Sequence, residues 1–312
     1  MSKKIWGIIV AIVIVISSVA AYWYIQEKEE KGKVIMKVIV GDHIEVNYTG
    51  RFTNGTVFDT NIESVANDNS TPKSYSFSHS SYTPLMFTVG SDEKIDGFGE
   101  NMPDMSDEMI QYFNGCLLNM SKGGKKNITF TAENGYEIHE DLFIKINKTQ
   151  SIPLYETISS QRFHELYPGE ILNETVSFKH YFWGWNATIE WIDGDNVTIR
   201  NNPENDSMIN VFGWNSTIIE IDNSYNGGEG RILLQHNPAG NITIGKEKTK
   251  FLMIDNGALN YVVSQINIGN SSVSDIGIVS RVDTGTFTID YNPEVVGKTL
   301  IFEVTIISIS RG

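Results

Sequence analysis

Apolar residues recur at every second position early in the chain, at Ile44, Val46 and Tyr48. Past the pair Asn54-Gly55 they return at Val57 and Phe58. Alternation of this kind marks a half-buried strand, and an Asn-Gly pair between two such runs marks a tight hairpin. Two strands carrying Tyr48 and Phe58 are therefore predicted either side of that turn. The period then changes. Ile110, Phe113, Leu117 and Met120 fall on one face of a helix, which runs without a gap into Lys125, Lys126 and another strand. Far downstream, Thr286–Pro293 and 297–309 read as two further strands joined by a turn, with Leu300, Phe302 and Val304 alternating.

The intervening stretch is β-rich, full of Val, Ile, Thr and aromatic residues. Ser160–Glu170 reads as a short helix stopped by Pro168-Gly169. A weak repeat follows, Gly184-Trp185-Asn186 and Gly213-Trp214-Asn215, and the two copies run on to Asn202-Pro203 and Asn237-Pro238. Two copies are too few for a solenoid, so they are read as paired hairpins of one small sheet. Residues 241–280 either enlarge that module or form a third unit.

Residues 5–25 are apolar apart from two serines, long enough to cross a bilayer core as a helix. Lys3 and Lys4 precede them and Tyr22, Trp23 and Tyr24 close them, which orients the N-terminus inside and the remainder outside the cytoplasm. An uncleaved anchor is the preferred reading; a signal peptide cut near Ser18-Val19-Ala20 is the other. Thirteen Asn-x-Ser/Thr sequons, from Asn47 to Asn270, agree with an exported surface. The single Cys116 rules out an internal disulfide and reads as a small buried hydrophobe. A formal charge of −14 argues against a nucleic-acid partner. His43, His79, His139, His164, His180 and His236 are scattered without ligand spacing, so neither metal nor cofactor is expected.

The run Val46–Asp59, answered by Gly297–Val304, resembles the FKBP family of peptidyl-prolyl cis-trans isomerases. The resemblance implies an α+β fold, a bent antiparallel sheet around a short helix. Residues 38–136 plus 283–312 would form that domain. Residues 137–282 would be a β-rich insertion in the flap, as in the SlyD-like branch, with 1–4 a cytoplasmic stub, 5–25 the anchor and 26–37 a tether. The implied site is an aromatic pocket in which Tyr48 is a wall with its hydroxyl held by Asp59, and Phe58, Leu85, Phe87 and Phe302 are further walls. Tyr136 would reach the peptide with its hydroxyl. Two registers compete for the pocket helix, Ile95-Asp96-Gly97-Phe98 and the 109–123 run. The second is preferred, making Met109 and Ile110 the backbone donors and Phe113 the floor.

Such a pocket needs no nucleophile or metal. A planar X-Pro amide exchanges over a barrier of roughly 18–20 kcal/mol, and a catalyst has only to bind the twisted form better. The implied substrates are proline-containing or unfolded segments of exported proteins. Tyr181, Phe182, Trp183, Trp185, Trp191, Phe212 and Trp214 offer the insertion either a chaperone surface or its own core. A holdase without catalysis and an adhesive surface protein are the alternative readings.

Overall fold

In the computed structural model, which describes residues 17–23, 36–91, 93–99, 102–252 and 276–311, alternation along β1 (His43–Phe52) buries Ile44, Val46 and Tyr48. The chain reverses at Asn54-Gly55, where Gly55 takes φ +86°, and returns as β2 (Val57–Thr60). β2 pairs with Thr49–Arg51, whereas β3 (Leu85–Thr88) pairs with His43–Val46. A register shift between Glu45 and Val46 interrupts the pairing of β1 with β17 (Leu300–Ser310), and β4 (Lys125–Phe130) closes the far side of β17.

Two short helices matter less than the one across this sheet. α1 (residues 17–23) and α2 (Glu63–Ala66) lie upstream of it. α3 (Asp107–Leu117) starts at Ser106, whose Oγ accepts from the Met109 amide, and places Asp107 and Glu108 in its positive first turn. Its Met109, Ile110, Phe113 and Leu117 share one core with Tyr48, Phe58 and Phe302. Cys116 sits half-buried beside that core.

Between β4 and β17 the chain runs through three consecutive short strands, β5 (Phe143–Asn147), β6 (Thr149–Pro153) and β7 (Tyr155–Ser159), each an edge of a different four-stranded sheet. α4 (Ser160–Leu166) follows, capped by Ser159. The meander β8 (Ser177–Lys179), β9 (Asn186–Asp193), β10 (Asn196–Asn202) then pairs onto β7. A second, β11 (Met208–Ile209), β12 (Ser216–Asp222), β13 (Arg231–His236), pairs onto β6. The third, β14 (Thr243–Gly245), β15 (Ile276–Val282), β16 (Thr286–Asp290), pairs onto β5, with α5 (Lys246–Leu252) between its first two strands.

These are three structural repeats on a spine of six-residue period. Ile146, Ile152 and Ile158 oppose Phe287, Ile232 and Val197. The middle strand of each meander bulges at the same place, after Ile189, Ile218 and Val279. Each meander also begins at a left-handed residue, Thr175, Asp206 or Asn241, whose amide donates to the carbonyl of that same Ile or Val.

Two expectations are corrected here and one open alternative is resolved. The two Gly-Trp-Asn copies lie in different sheets, because each meander adds to its own spine strand rather than to the other copy. Residues 241–245 and 276–282 belong to the third repeat. Thr286–Asp290 is a strand of the insertion, paired with Phe143–Asn147, so only Leu300–Ser310 returns to the first sheet. The crossing is fixed by a reciprocal clasp, with the His139 amide donating to Asn292 Oδ1 at 2.9 Å and Asn292 Nδ2 donating to the His139 carbonyl at 3.2 Å. Of the anchor expected over 5–25, residues 17–23 are described, as helix; the rest lies outside the described residues. No helix among the described residues is long and apolar enough to cross a membrane.

Candidate active site

Phe302 is the hub of an aromatic cluster. The β1–β17 register sets it opposite Gly50, and a Cβ at Gly50 would come within 2.4 Å of the Phe58 ring. The missing side chain is what lets Phe58 lie across β1 and meet Phe302 edge to face, centroids 5.5 Å apart. Tyr48 stands 6.1 Å from Phe302, and Phe98 touches both, at 5.0 Å from Tyr48 and 6.0 Å from Phe302. Tyr48 and Phe302 are wholly buried, while Phe98 keeps part of its ring exposed.

Asp59 lies under this cluster, itself buried. Its carboxylate accepts from the Tyr48 hydroxyl, from the Gly99 amide at 2.9 Å, and faces His79 Nδ1 at 2.7 Å. Three donors offset the cost of burying the charge. Burial, with Asp59 beside it, pushes the Tyr48 phenol well above its ordinary range, so it remains a protonated donor. Gly99 has to be glycine, because a Cβ there would meet Asp59 Oδ1 at 2.6 Å and the Ser78 carbonyl at 2.7 Å. Asn61 holds the strand beneath, accepting from the Tyr48 amide and donating to the carbonyls of Val46 and Thr83.

Tyr136 lies at the rim of the cluster on the segment leading from β4 into the insertion. It is 6% exposed, and its hydroxyl has no hydrogen-bond partner among the described residues. Burial first, then the negative field of Asp59 and Asp104, raises its pKa, so this phenol also stays protonated. It lines a cavity of about 760 Å³ between the start of α3 and the Pro293–Val296 segment.

The structure therefore gathers Tyr48, Phe58, Asp59 and Phe302 as the sequence suggested, with Leu85 buried in the same core and Phe87 packed at its margin. It corrects the preferred register of the pocket helix. The Met109 amide is engaged by Ser106 Oγ and the Ile110 amide by the Ser106 carbonyl at 2.9 Å, so neither is available to a peptide. Phe113 packs on Phe302 and Phe87 at 6.2 Å from each, and is completely buried. The exposed aromatic position belongs to Phe98, and the Ile95 amide has no hydrogen bond to a described residue. His79, Asn61 and Gly99 were not singled out, because none lies in a periodic segment. Among the described residues no three His, Cys, Asp or Glu side chains gather as a metal site.

In the insertion Trp183, Trp185, Phe212 and Trp214 are core residues, and Tyr181 and Trp191 are about half exposed. Most of the insertion's indoles are thus used for packing.

Residues 36–152, which carry this sheet apart from β17, its helix and, Phe302 aside, the carboxylate-anchored ring cluster, match the family model of the FKBP-type peptidyl-prolyl cis-trans isomerase. The short-type peptidyl-prolyl cis-trans isomerase of Methanocaldococcus jannaschii is 31% identical over 105 residues, which cover 34% of this chain and 54% of the relative. The chain thus spans about half the length of that curated relative.

Proposed function

We propose that the chain catalyses cis-trans isomerisation of X-Pro bonds in polypeptides. The carrying observation is the convergence of Tyr48, Phe58, Phe98 and Phe302 around buried Asp59, with the Tyr136 hydroxyl unpartnered at the rim. The proline ring lies against the part-exposed ring of Phe98, which Tyr48 and Phe302 back from inside the core, while Leu85 and Phe87 support the wall. The Ile95 amide and the Tyr136 hydroxyl donate to substrate carbonyls. Nothing covalent happens. Loss of amide resonance in the twisted form removes its need for water, so a dry apolar wall favours that form over either planar one, at about 1.4 kcal/mol per tenfold in rate.

The insertion, emerging beside Tyr136, holds unfolded segments near the pocket and raises their local concentration. Its half-exposed Tyr181 and Trp191 favour that holding role, and, without turnover, the reading of a pure holdase. The apolar stretch 5–25 tethers the chain to a membrane, with its clients outside the cytoplasm.

A short-peptide proline-isomerisation assay on the whole chain and on Tyr48→Ala decides the matter. Catalysis is expected in the first and a loss of at least about tenfold in the second. No acceleration by the unaltered chain, with aggregation of an unfolded client still suppressed, leaves the holdase.

A further inference from the structure

The cavity beside Tyr136 is walled by charge of one sign. Asp104 and Glu108 line it from the start of α3, and Glu133 and Glu137 from the segment between β4 and the insertion. All four are exposed at the surface. Asp104 pairs with Lys94, whereas Glu108, Glu133 and Glu137 have no ion pair among the described residues. Among the described residues that line it, His139 is the only positive-capable side chain. The start of α3 does not make this an anion site, since Ser106 already engages the Met109 amide and Glu108 sits in its first turn.

A carboxylate rim alone would be an ordinary solvated surface. Here it surrounds a half-open cleft of about 760 Å³ into whose lining falls a buried phenol without a partner among the described residues. An unmatched buried hydroxyl costs stability, which is the state expected of a donor whose acceptor arrives with a ligand. The floor is apolar, with Met109, Tyr112 and Val296.

We propose that this cavity is a specificity subsite, taking a lysine or arginine side chain of the peptide whose X-Pro bond lies on the Phe98–Phe302 wall. The aliphatic stem covers Met109 and Val296, and the cationic head sits among Glu108, Glu133 and Glu137. The Tyr136 hydroxyl donates to the peptide backbone between the two. The inference rests on the isomerase reading for the identity of the ligand, but it is read out by binding.

The test uses fluorescent proline peptides carrying Lys, Gln or Glu at either of the two positions before or after the X-Pro pair. Equilibrium affinity and isomerisation are measured separately on the whole chain at low and high salt. At low salt the best lysine peptide should bind roughly tenfold tighter than its glutamate twin, the order expected of several like charges acting together. The gap should shrink by about 0.5 M salt, where screening acts within a few ångströms. In the triple variant Glu108→Gln, Glu133→Gln, Glu137→Gln the two peptides should converge.

Equal affinity of lysine and glutamate peptides at low salt overturns the subsite, and so does a preference that the triple variant or salt leaves unchanged. Should the variant fail to fold, the salt series on the unaltered chain decides. Charge-selective binding without any isomerisation sinks the catalytic proposal and leaves this one standing. Isomerisation without charge selectivity does the reverse.

Discussion

Two aromatic-rich cores stand side by side in this chain, and they differ in how their buried polar groups are completed. In the insertion, the Trp185 indole donates to Asn201 Oδ1 at 2.8 Å. His236 is enclosed by Ser216, Trp214 and Gln150. Each polar atom in these groups finds its match inside the fold; elsewhere in the insertion, buried His180 Nε2 has no hydrogen bond among the described residues but faces the Glu156 carboxylate at 3.4 Å. Around Phe302, Asp59 is fully served, but the Tyr136 hydroxyl is left over and Phe98 keeps an exposed edge. Similar residues build both cores. Completed partners make a structural core, and an unmatched donor beside a partly open ring makes a site.

The largest effect that can break this comparison comes from truncating one ring in each core. Phe302→Ala removes the hub of five other rings and should cost about 3–5 kcal/mol of stability while abolishing isomerisation. Trp214→Ala should cost a similar amount in the insertion yet leave turnover of a short peptide within about twofold. Denaturant titration followed by the peptide assay on folded material checks both. Equal loss of turnover in the two variants would mean that the cores are not functionally separate.

Next in size are backbone contacts. Gly50→Ala places a methyl within 2.4 Å of the Phe58 ring and should cost about 1–3 kcal/mol, with Phe58 displaced from Phe302 and peptide turnover reduced. Gly240→Ala, with nothing within 4 Å and no left-handed backbone, should be near-silent. Thermal melts of the pair would sharpen the contrast.

Much of the first core was legible in the chain. The hairpin at Asn54-Gly55 announces itself through local chemistry, and the face of α3 through its period. Its limits are equally physical. Periodicity identifies the buried face of a helix, and Phe113, which obeys the period, packs inside the core against Phe302, while the part-exposed ring is that of Phe98. Phe98 lies in an irregular segment, so no periodicity marks it, and only the rival motif Ile95-Asp96-Gly97-Phe98 points to it. Thr286–Asp290 alternates like any strand, and which sheet it joins depends on a partner about 140 residues away in sequence. Two repeats were visible through Gly-Trp-Asn. The third lacks that motif, and it shares only the left-handed start, the bulge and the terminal Asn292-Pro293. The six-residue spine is hidden because an even period of six is indistinguishable from ordinary alternation.

A smaller change probes the leftover donor itself. Tyr136→Phe deletes a buried hydroxyl with no partner, so stability should hold or rise by up to about 1 kcal/mol. Peptide affinity should fall by about threefold to tenfold, the worth of one hydrogen bond. A variant that is both less stable and unchanged in affinity would show the hydroxyl to be matched inside the fold.

A change of pH rather than of sequence tests the completed core. Burial lowers the His236 pKa from 6.5 to about 4, so the folded protein holds this ring neutral where the unfolded chain would protonate it. The unfolded state then binds more protons, and stability falls as pH drops from about 6.5 towards 4, with no further loss from this group below that. The slope is at most about 1.4 kcal/mol per pH unit, hence about 1.4 kcal/mol lost by pH 5.5. The repeat architecture supplies the control. Asn201 occupies in the first meander the place that His236 holds in the second, and each lies one residue before the Asn-Pro pair. Asn201 accepts from the Trp185 indole, as His236 Nδ1 accepts from Trp214 at 3.4 Å. His236→Asn should therefore keep an acceptor for Trp214 and lose this slope between pH 7 and 5, as read from denaturant midpoints. An unchanged slope in the variant would assign the pH dependence to other groups and leave His236 as packing alone.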